Sequence, residues 1–158
     1  MKNNICISHR EDVDGISSAA LIKIAFDVNT IVLLDYANMI KTLRSMVSSI
    51  HDGTNKIDQL FICDLGLSKK NENEFVKILK EITEAKCKVT YIDHHDLDKK
   101  ILADLKRNGV KLVHSTDECT SIHIYNKYKR KFSSYSAFLA AAAALTDYLE
   151  TRPIASNL

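Results

Sequence analysis

Five short apolar segments recur along the chain, and each lies next to a segment with helical periodicity. They are residues 5–7, 31–34, 60–63, 89–92 and 110–113. They lack the alternation of polar and apolar residues that is typical of a sheet with one solvent-exposed face, which indicates a sheet covered on both sides. Strands that alternate with helices favour parallel pairing, because a parallel connection needs a long crossover. We therefore predict an α/β fold: a doubly wound, mainly parallel sheet of about five strands with helices on both faces.

Four helices have clear bounds in the sequence. Residues 36–50 carry one apolar stripe at steps of three and four residues, and Asp35 is expected to cap this helix. Residues 70–86 repeat the pattern. Residues 118–131 form the third predicted helix and residues 133–150 the fourth. The fourth is apolar nearly all round, so we expect it to be buried against the sheet.

Length and composition fit one globular domain that spans residues 1–158. The net charge of +2 excludes a broad basic surface for nucleic acid or membranes, so an anionic ligand must be held locally. The longest apolar run, residues 137–145, is far shorter than the ~20 residues that span a bilayer. The four cysteines have no metal-binding spacing and are expected to be reduced core thiols. We expect a cytoplasmic protein that does not contact membranes.

Three of the predicted strands are followed by carboxylate and imidazole side chains. These are His9, Asp12 and Asp14 after the first strand, Asp64 after the third, and Asp93, His94 and His95 after the fourth. Parallel sheets place their ligand sites at the carboxyl ends of the strands, so these groups should converge at one edge. Such crowding requires a cation, and the absence of thiolates favours Mn²⁺, Mg²⁺, Fe²⁺ or Zn²⁺. The number of ligands exceeds one tetrahedral site and fits two ions bridged by a carboxylate.

A further carboxylate, Asp147, lies in an apolar helical segment, where an unpaired charge costs several kcal/mol. We expect the metal edge to compensate it, with a helix cap or a surface position as the alternatives. Thr120 and Ser121 are expected to cap the helix that follows them, with contact to a substrate phosphate as the alternative. His114 is expected to lie away from the site, although it follows the fifth strand and could reach its edge.

Four segments together resemble a known family, the DHH phosphoesterases, which are named for the triplet found here as Asp93-His94-His95. The segments are SHREDVDG at residues 8–15, FICDLG at 61–66, YIDHHD at 91–96 and AALTDY at 143–148. They occur in the order of the family's N-terminal catalytic domain, and the resemblance covers residues 5–148. It implies a metal-dependent phosphoesterase with two divalent ions, Mn²⁺ as the first expectation and Mg²⁺ as the alternative.

The resemblance also implies a role for each matching residue. It implies that one ion binds His9, Asp12 and Asp64, and that the other binds Asp14, Asp64, His94 and Asp147. Asp64 would be the bridge, His95 would contact the scissile phosphate, and Asp93 would orient the histidines. Glu11 stands between His9 and Asp12 as a competing ligand.

The implied reaction is the hydrolysis of a phosphodiester in an oligonucleotide or a linear or cyclic dinucleotide, with single-stranded nucleic acid among the substrates. An inorganic pyrophosphatase and a non-catalytic scaffold of a replication or repair complex are the alternatives. Most family members carry a C-terminal substrate-binding domain, which residues 1–158 lack. We therefore expect either a fragment or a stand-alone catalytic domain, whose substrate contacts come from a homodimer or a partner protein.

Overall fold

A parallel sheet of five strands organises the part of the chain that the structure, a computed structural model, describes: residues 2–149 and 151–158. The strands are β1 (Asn4–His9), β2 (Thr30–Leu34), β3 (Gln59–Cys63), β4 (Lys88–Asp93) and β5 (Lys111–His114). Their order is β2-β1-β3-β4-β5, and every neighbouring pair is parallel. The predicted fold class is confirmed.

In the described part of the chain, six α-helices cover the two faces of the sheet. They are α1 (Val13–Ala25), α2 (Tyr36–His51), α3 (Glu72–Glu84), α4 (Lys99–Arg107), α5 (Thr120–Lys127) and α6 (Ser134–Thr146). Helices α2, α3 and α4 share one hydrophobic core with the sheet, and α1, α5 and α6 share the other. Within the described residues, none of the helices is long and apolar enough to cross a membrane.

The amphipathic helix α2 shows how the pattern of the sequence becomes packing. Met39, Leu43 and Val47 recur at helical spacing and are buried against the sheet. Asp35 caps the helix as predicted, since its side chain accepts a hydrogen bond of 2.9 Å from the backbone N–H of Asn38. This cap fixes the position of Tyr36, the first residue of α2, at the carboxyl end of the sheet.

The third predicted helix is shorter than expected. Helix α5 ends at Lys127, the backbone of Tyr128 leaves the helical region, and a 3-10 helix follows over Lys129–Lys131. This turn brings the Lys131 ammonium group to the carbonyl oxygen of Ala25, at the end of α1, over a distance of 2.8 Å. A cation at the carbonyl end of a helix is favourable, so this contact stabilises the end of α1.

Helix α6 differs from the prediction in its end and in its surroundings. It ends at Thr146, and the predicted last residue, Glu150, lies outside the described residues. It packs on α1 and α5 rather than on the sheet, through a narrow face of small residues that includes Ala140, Ala143 and Ala144. Helices α1 and α5 already cover this side of the sheet. The opposite face of α6 therefore exposes large apolar side chains, which are Tyr135, Phe138 and Leu145.

The interior fits the prediction more closely. Strands β1, β3 and β4 are buried almost throughout, as a sheet covered on both faces requires, whereas the edge strand β2 exposes Leu33. All four cysteines, Cys6, Cys63, Cys87 and Cys119, are free and buried, which confirms that they are core thiols.

Gly15 allows the close approach of α1 to β1, and this generates a first prediction. A Cβ atom at Gly15 would lie 2.7 Å from the Cβ of His9 and would also overlap the His9 carbonyl group. The substitution Gly15→Ala should lower the free energy of unfolding by about 1–3 kcal/mol, the usual range for overpacking. It should also weaken Mn²⁺ binding, because it moves His9 apart from Asp14. Urea denaturation and metal titration measure the two effects.

Gly53→Ala is the control for Gly15→Ala. Gly53 has a φ of +75° but no atom within 4 Å of an added Cβ. The control should lose stability through backbone strain alone and keep its metal affinity. A Gly15→Ala variant with unchanged stability and unchanged metal affinity would contradict the packing argument.

Candidate metal centre

The predicted site residues lie at the topological switch point of the sheet. Strands β1 and β3 are neighbours, but the helices that follow them, α1 and α3, pack on opposite faces. Such a divergence opens a crevice at the carboxyl ends of the strands, where α/β proteins bind ligands. His9 ends β1, Asp64 follows β3, and Asp93 ends β4. The convergence expected from the sequence is therefore present.

One cluster surrounds the imidazole of His94 with three carboxylates. Its Nε2 atom lies 3.5 Å from Oδ1 of Asp64, 3.5 Å from Oδ2 of Asp147 and 3.9 Å from Oδ2 of Asp14. These are the four residues that the resemblance assigns to one ion. Asp147 stands just beyond the end of α6 and faces the site, so the expectation that it meets the metal edge agrees with its position.

A second cluster lies on the other side of Asp64. The Nδ1 atom of His9 lies 2.6 Å from Oδ2 of Asp12 and 4.0 Å from Oδ2 of Asp64. Asp64 thus faces His94 with one oxygen and His9 with the other, which is the position that a bridging ligand requires. Glu11, the competing ligand candidate, is exposed, and its Oε2 atom lies 3.9 Å from the His9 Nε2 atom. The assignment of these residues to particular ions stays a prediction.

Two buried ligand-type atoms support a cation in this place. Among the described residues, the His9 Nε2 and Asp147 Oδ2 atoms are buried and lack a hydrogen-bond partner. Orphaned polar atoms of this kind are costly, and a cation at each of the two clusters would satisfy them. Asp147 also lies at the carbonyl end of α6, where the helix dipole disfavours a negative charge. The donors present, carboxylates and imidazoles, fit a divalent metal.

The pKa values of the cluster show how strongly the site needs positive charge. Burial, reinforced by the charge of Asp14, raises the pKa of Asp64 to about 7. Burial and the same neighbour raise the pKa of Asp147 to about 6. Burial alone would lower the pKa of His94, but its hydrogen bond with Asp64 and the surrounding carboxylates raise it to about 9. A proton on His94 therefore stands where a metal ion would otherwise bind.

His95 is held by three residues, Asp93, His114 and Gly66, on different sides. Its Nδ1 atom lies 3.0 Å from Oδ1 of Asp93, and its backbone N–H donates to Oδ2 of the same residue. Its carbonyl oxygen lies 2.7 Å from Nε2 of His114, so His114 does reach the edge of the site. Gly66 packs against the imidazole so closely that a Cβ there would lie 2.7 Å from the His95 ring. Asp93 therefore contacts His95 as the predicted orienting role requires.

Thr120 and Ser121 have a function that the sequence did not reveal. Their backbone N–H groups donate to the two oxygens of Asp14, each at 2.8 Å, and the Thr120 hydroxyl donates to Asp64 at 3.0 Å. Neither makes a side-chain cap for α5, whose N-cap residue is Cys119. The predicted capping role is therefore wrong. These residues hold two metal-ligand candidates in place, and their separation of more than 100 residues from Asp14 left no local signal.

Tyr36 and Cys119 also belong to the surroundings of the site and were not predicted there. The Tyr36 ring packs at a tilt against His9 with centroids 4.2 Å apart, and its hydroxyl lies 3.2 Å from Nε2 of His95. The Cys119 thiol lies beside Asp14 and Asp147. Burial and the charge of Asp14 raise the pKa of this thiol, so it stays protonated in the metal-free protein. A protonated thiol is a poor metal ligand.

The raised pKa values predict how stability depends on pH. Because Asp64 and His94 bind protons more tightly in the folded protein than in the unfolded chain, their contribution to stability is lost as the pH rises through 7 and 9. The metal-free protein should therefore melt at a lower temperature at pH 8 than at pH 6. Bound Mn²⁺ replaces these protons, so its stabilising effect should be larger at pH 8.

Thermal unfolding in chelator and in saturating Mn²⁺ at both pH values measures these two trends. The variant Asp104→Asn changes a carboxylate of α4 that pairs with Lys100 and Arg107 outside the two clusters, so it should show the same trends as the unchanged protein. An increase in melting temperature by Mn²⁺ that is equal at the two pH values would contradict the assignment of these groups to the metal site.

The hydroxyl of Thr120 generates a third prediction. Thr120→Val keeps the shape of the buried side chain but removes the donor to Asp64. Loss of a hydrogen bond that orients a metal ligand should weaken Mn²⁺ binding roughly 10–100-fold. Thr120→Ser keeps the hydroxyl and should bind nearly as well as the unchanged protein. Calorimetric titration compares the three proteins, and equal losses in both variants would show that packing rather than the hydroxyl matters.

Comparisons with known proteins agree with this architecture. A family model described as the DHH family, N-terminal domain, matches residues 4–149. The crystal structure of an uncharacterized protein from Helicobacter pylori G27 superposes with a TM-score of 0.65 at 16% sequence identity, over 99% of this chain and 46% of that one. At this identity the likeness shows the fold alone. This chain thus spans less than half the length of the Helicobacter protein.

A comparison with curated proteins finds no match. The family match, in contrast, extends over nearly the whole chain and includes every residue of the two clusters. The chain therefore belongs to the DHH family, as its N-terminal domain, and with it to the phosphoesterase superfamily.

Proposed function

We propose that this domain hydrolyses a phosphodiester bond in an oligonucleotide or in a linear or cyclic dinucleotide, with two divalent cations. Mn²⁺ is the first candidate and Mg²⁺ the second. The observation that carries the proposal is the position of Asp64, whose two oxygens face two separate clusters of ligand-type side chains. A carboxylate so placed is the usual bridge of a two-metal hydrolase.

Each part of the site has a role in this reaction. One ion would be held by His9, Asp12 and Asp64, and the other by Asp14, Asp64, His94 and Asp147. The ions would supply a nucleophilic water at neutral pH and neutralise the phosphate oxygens. Asp14 and Asp64 are fixed beforehand by the donors of Thr120 and Ser121. His95, oriented by Asp93, would donate a hydrogen bond to the phosphate, where negative charge increases during the reaction.

The rim of the site favours an organic phosphodiester over pyrophosphate. Val13 and Ile16, which flank Asp14 at the start of α1, are exposed. Pyrophosphate would instead require several Lys or Arg side chains around it. Arg10, the basic residue beside His9, is 3.2 Å from Asp35 and is neutralised by this pair. An apolar rim next to a metal centre suits a nucleoside phosphodiester, including single-stranded nucleic acid.

The remaining expectations on partners and location belong to the same proposal. A second copy of the chain or a partner protein would supply further substrate contacts, because the domain offers few basic groups at the rim. The cytoplasm is the proposed location, and the four free buried cysteines support a reducing compartment. A purely structural scaffold would not need buried carboxylates held for a cation, so we favour an enzyme.

The fourth prediction concerns activity. The purified protein with Mn²⁺ should release nucleotides from short single strands or from dinucleotides, and a chelator should stop the reaction. Asp64→Asn should abolish hydrolysis and metal binding together, because it removes a ligand shared by both ions. Asp104→Asn, on α4 and outside the site, should retain both. Chromatography of the products and metal titration are the measurements.

Three results would contradict the proposal. Hydrolysis of pyrophosphate alone would establish the pyrophosphatase alternative. A folded protein that takes up no Mn²⁺ would favour the scaffold. Phosphodiester hydrolysis that Asp64→Asn leaves intact would place the reaction elsewhere in the molecule.

A further inference from the structure

The Tyr36 hydroxyl lies next to the one ring nitrogen of His95 that a substrate can reach. The Nδ1 atom of His95 is engaged by Asp93 at 3.0 Å. The other ring nitrogen, Nε2, faces the rim and lies 3.2 Å from the Tyr36 hydroxyl. His95 and Tyr36 are both partly exposed, so a ligand oxygen can approach between them. Any oxygen that hydrogen-bonds to Nε2 must therefore come within reach of the Tyr36 hydroxyl.

The Tyr36 ring and its hydroxyl make separable contacts. The ring packs at a tilt against His9 with centroids 4.2 Å apart and meets the His95 ring edge-on at 5.9 Å. Among the described residues, the hydroxyl has one hydrogen-bond partner, the Nε2 atom of His95. Packing of the two histidines thus depends on the ring, and the hydroxyl is free to serve a ligand. The Asp35 cap fixes Tyr36 at the start of α2, so Tyr36 need not move far to meet a ligand.

We propose that the Tyr36 hydroxyl contacts the substrate, donating a hydrogen bond to the same phosphate oxygen that accepts one from Nε2 of His95. This inference rests on the proposed function, since it places the phosphate beside His95. A phenol O–H is a hydrogen-bond donor, as this arrangement requires. Phosphate oxygens gain negative charge as the bond to the leaving group breaks, so the contact strengthens in the transition state. Tyr36 is thus a third phosphate-binding group, beside the cations and His95.

The variant Tyr36→Phe tests this role, because it keeps the ring and removes the hydroxyl. A hydrogen bond to a charged group corresponds to roughly a 10–100-fold effect. We expect kcat/KM for the phosphodiester to fall by about this factor, and the Kd of inorganic phosphate for the Mn²⁺-loaded protein to rise roughly 10-fold. The Kd of Mn²⁺ should stay unchanged. Calorimetry measures both binding constants without any turnover.

Tyr135→Phe is the matched control, since Tyr135 is an exposed tyrosine near the start of α6, whose far end meets the site. It should leave all three constants unchanged. The proposal is overturned if Tyr36→Phe leaves kcat/KM and phosphate affinity unchanged. It is also overturned if Mn²⁺ affinity falls in parallel, since the hydroxyl would then support the ligands only.

The phosphate measurement separates this inference from the proposed function. If the unchanged protein hydrolyses no phosphodiester but binds phosphate more tightly than Tyr36→Phe, the proposed reaction fails and the Tyr36 contact stands. If the Mn²⁺-loaded protein neither hydrolyses phosphodiesters nor binds phosphate, both are overturned. If it hydrolyses phosphodiesters and Tyr36→Phe behaves identically, only the Tyr36 contact is overturned.

Discussion

The two backbone N–H groups that bind Asp14 are the interaction on which the site depends. They belong to Thr120 and Ser121 at the start of α5, and each bond is 2.8 Å long. An N-terminal helix end carries partial positive charge, which allows a carboxylate to remain buried there. The same turn reaches Asp64 through the Thr120 hydroxyl. The bonds fix both carboxyl groups, and a cation bound there would replace the proton that the raised pKa of Asp64 favours.

The sheet topology brings these groups together. The order β2-β1-β3-β4-β5 sets β1 beside β3 and lets α1 and α5 pack on the same face, so the start of α5 meets the start of α1. Asp64 adopts a left-handed backbone conformation with a φ of 54°, which non-glycine residues rarely occupy. Its own N–H bonds to the carbonyl oxygen of Ile92 and stabilises this turn. Strain of this kind is frequent at functional positions.

The sequence predicted the features that depend on local patterns. Apolar runs identified all five strands, and ligand-type residues at strand ends identified the edge where they converge. It could not predict that Thr120 and Tyr36 belong to the site, because their partners Asp14 and His95 are distant in the chain. Only tertiary packing brings each pair together. The prediction that α6 is buried against the sheet was wrong, because composition does not reveal that α1 and α5 already cover this face. Hydrophobicity predicts burial only where a partner surface remains.

The proposed chemistry depends on two cations that share Asp64 at this edge of the sheet. Anomalous diffraction at the manganese absorption edge, on crystals grown with Mn²⁺, locates such ions. We expect two peaks with Asp64 between them, one next to His9 and the other next to His94. A single peak that does not contact Asp64, or no peak at this edge in protein saturated with Mn²⁺, would contradict the proposed chemistry.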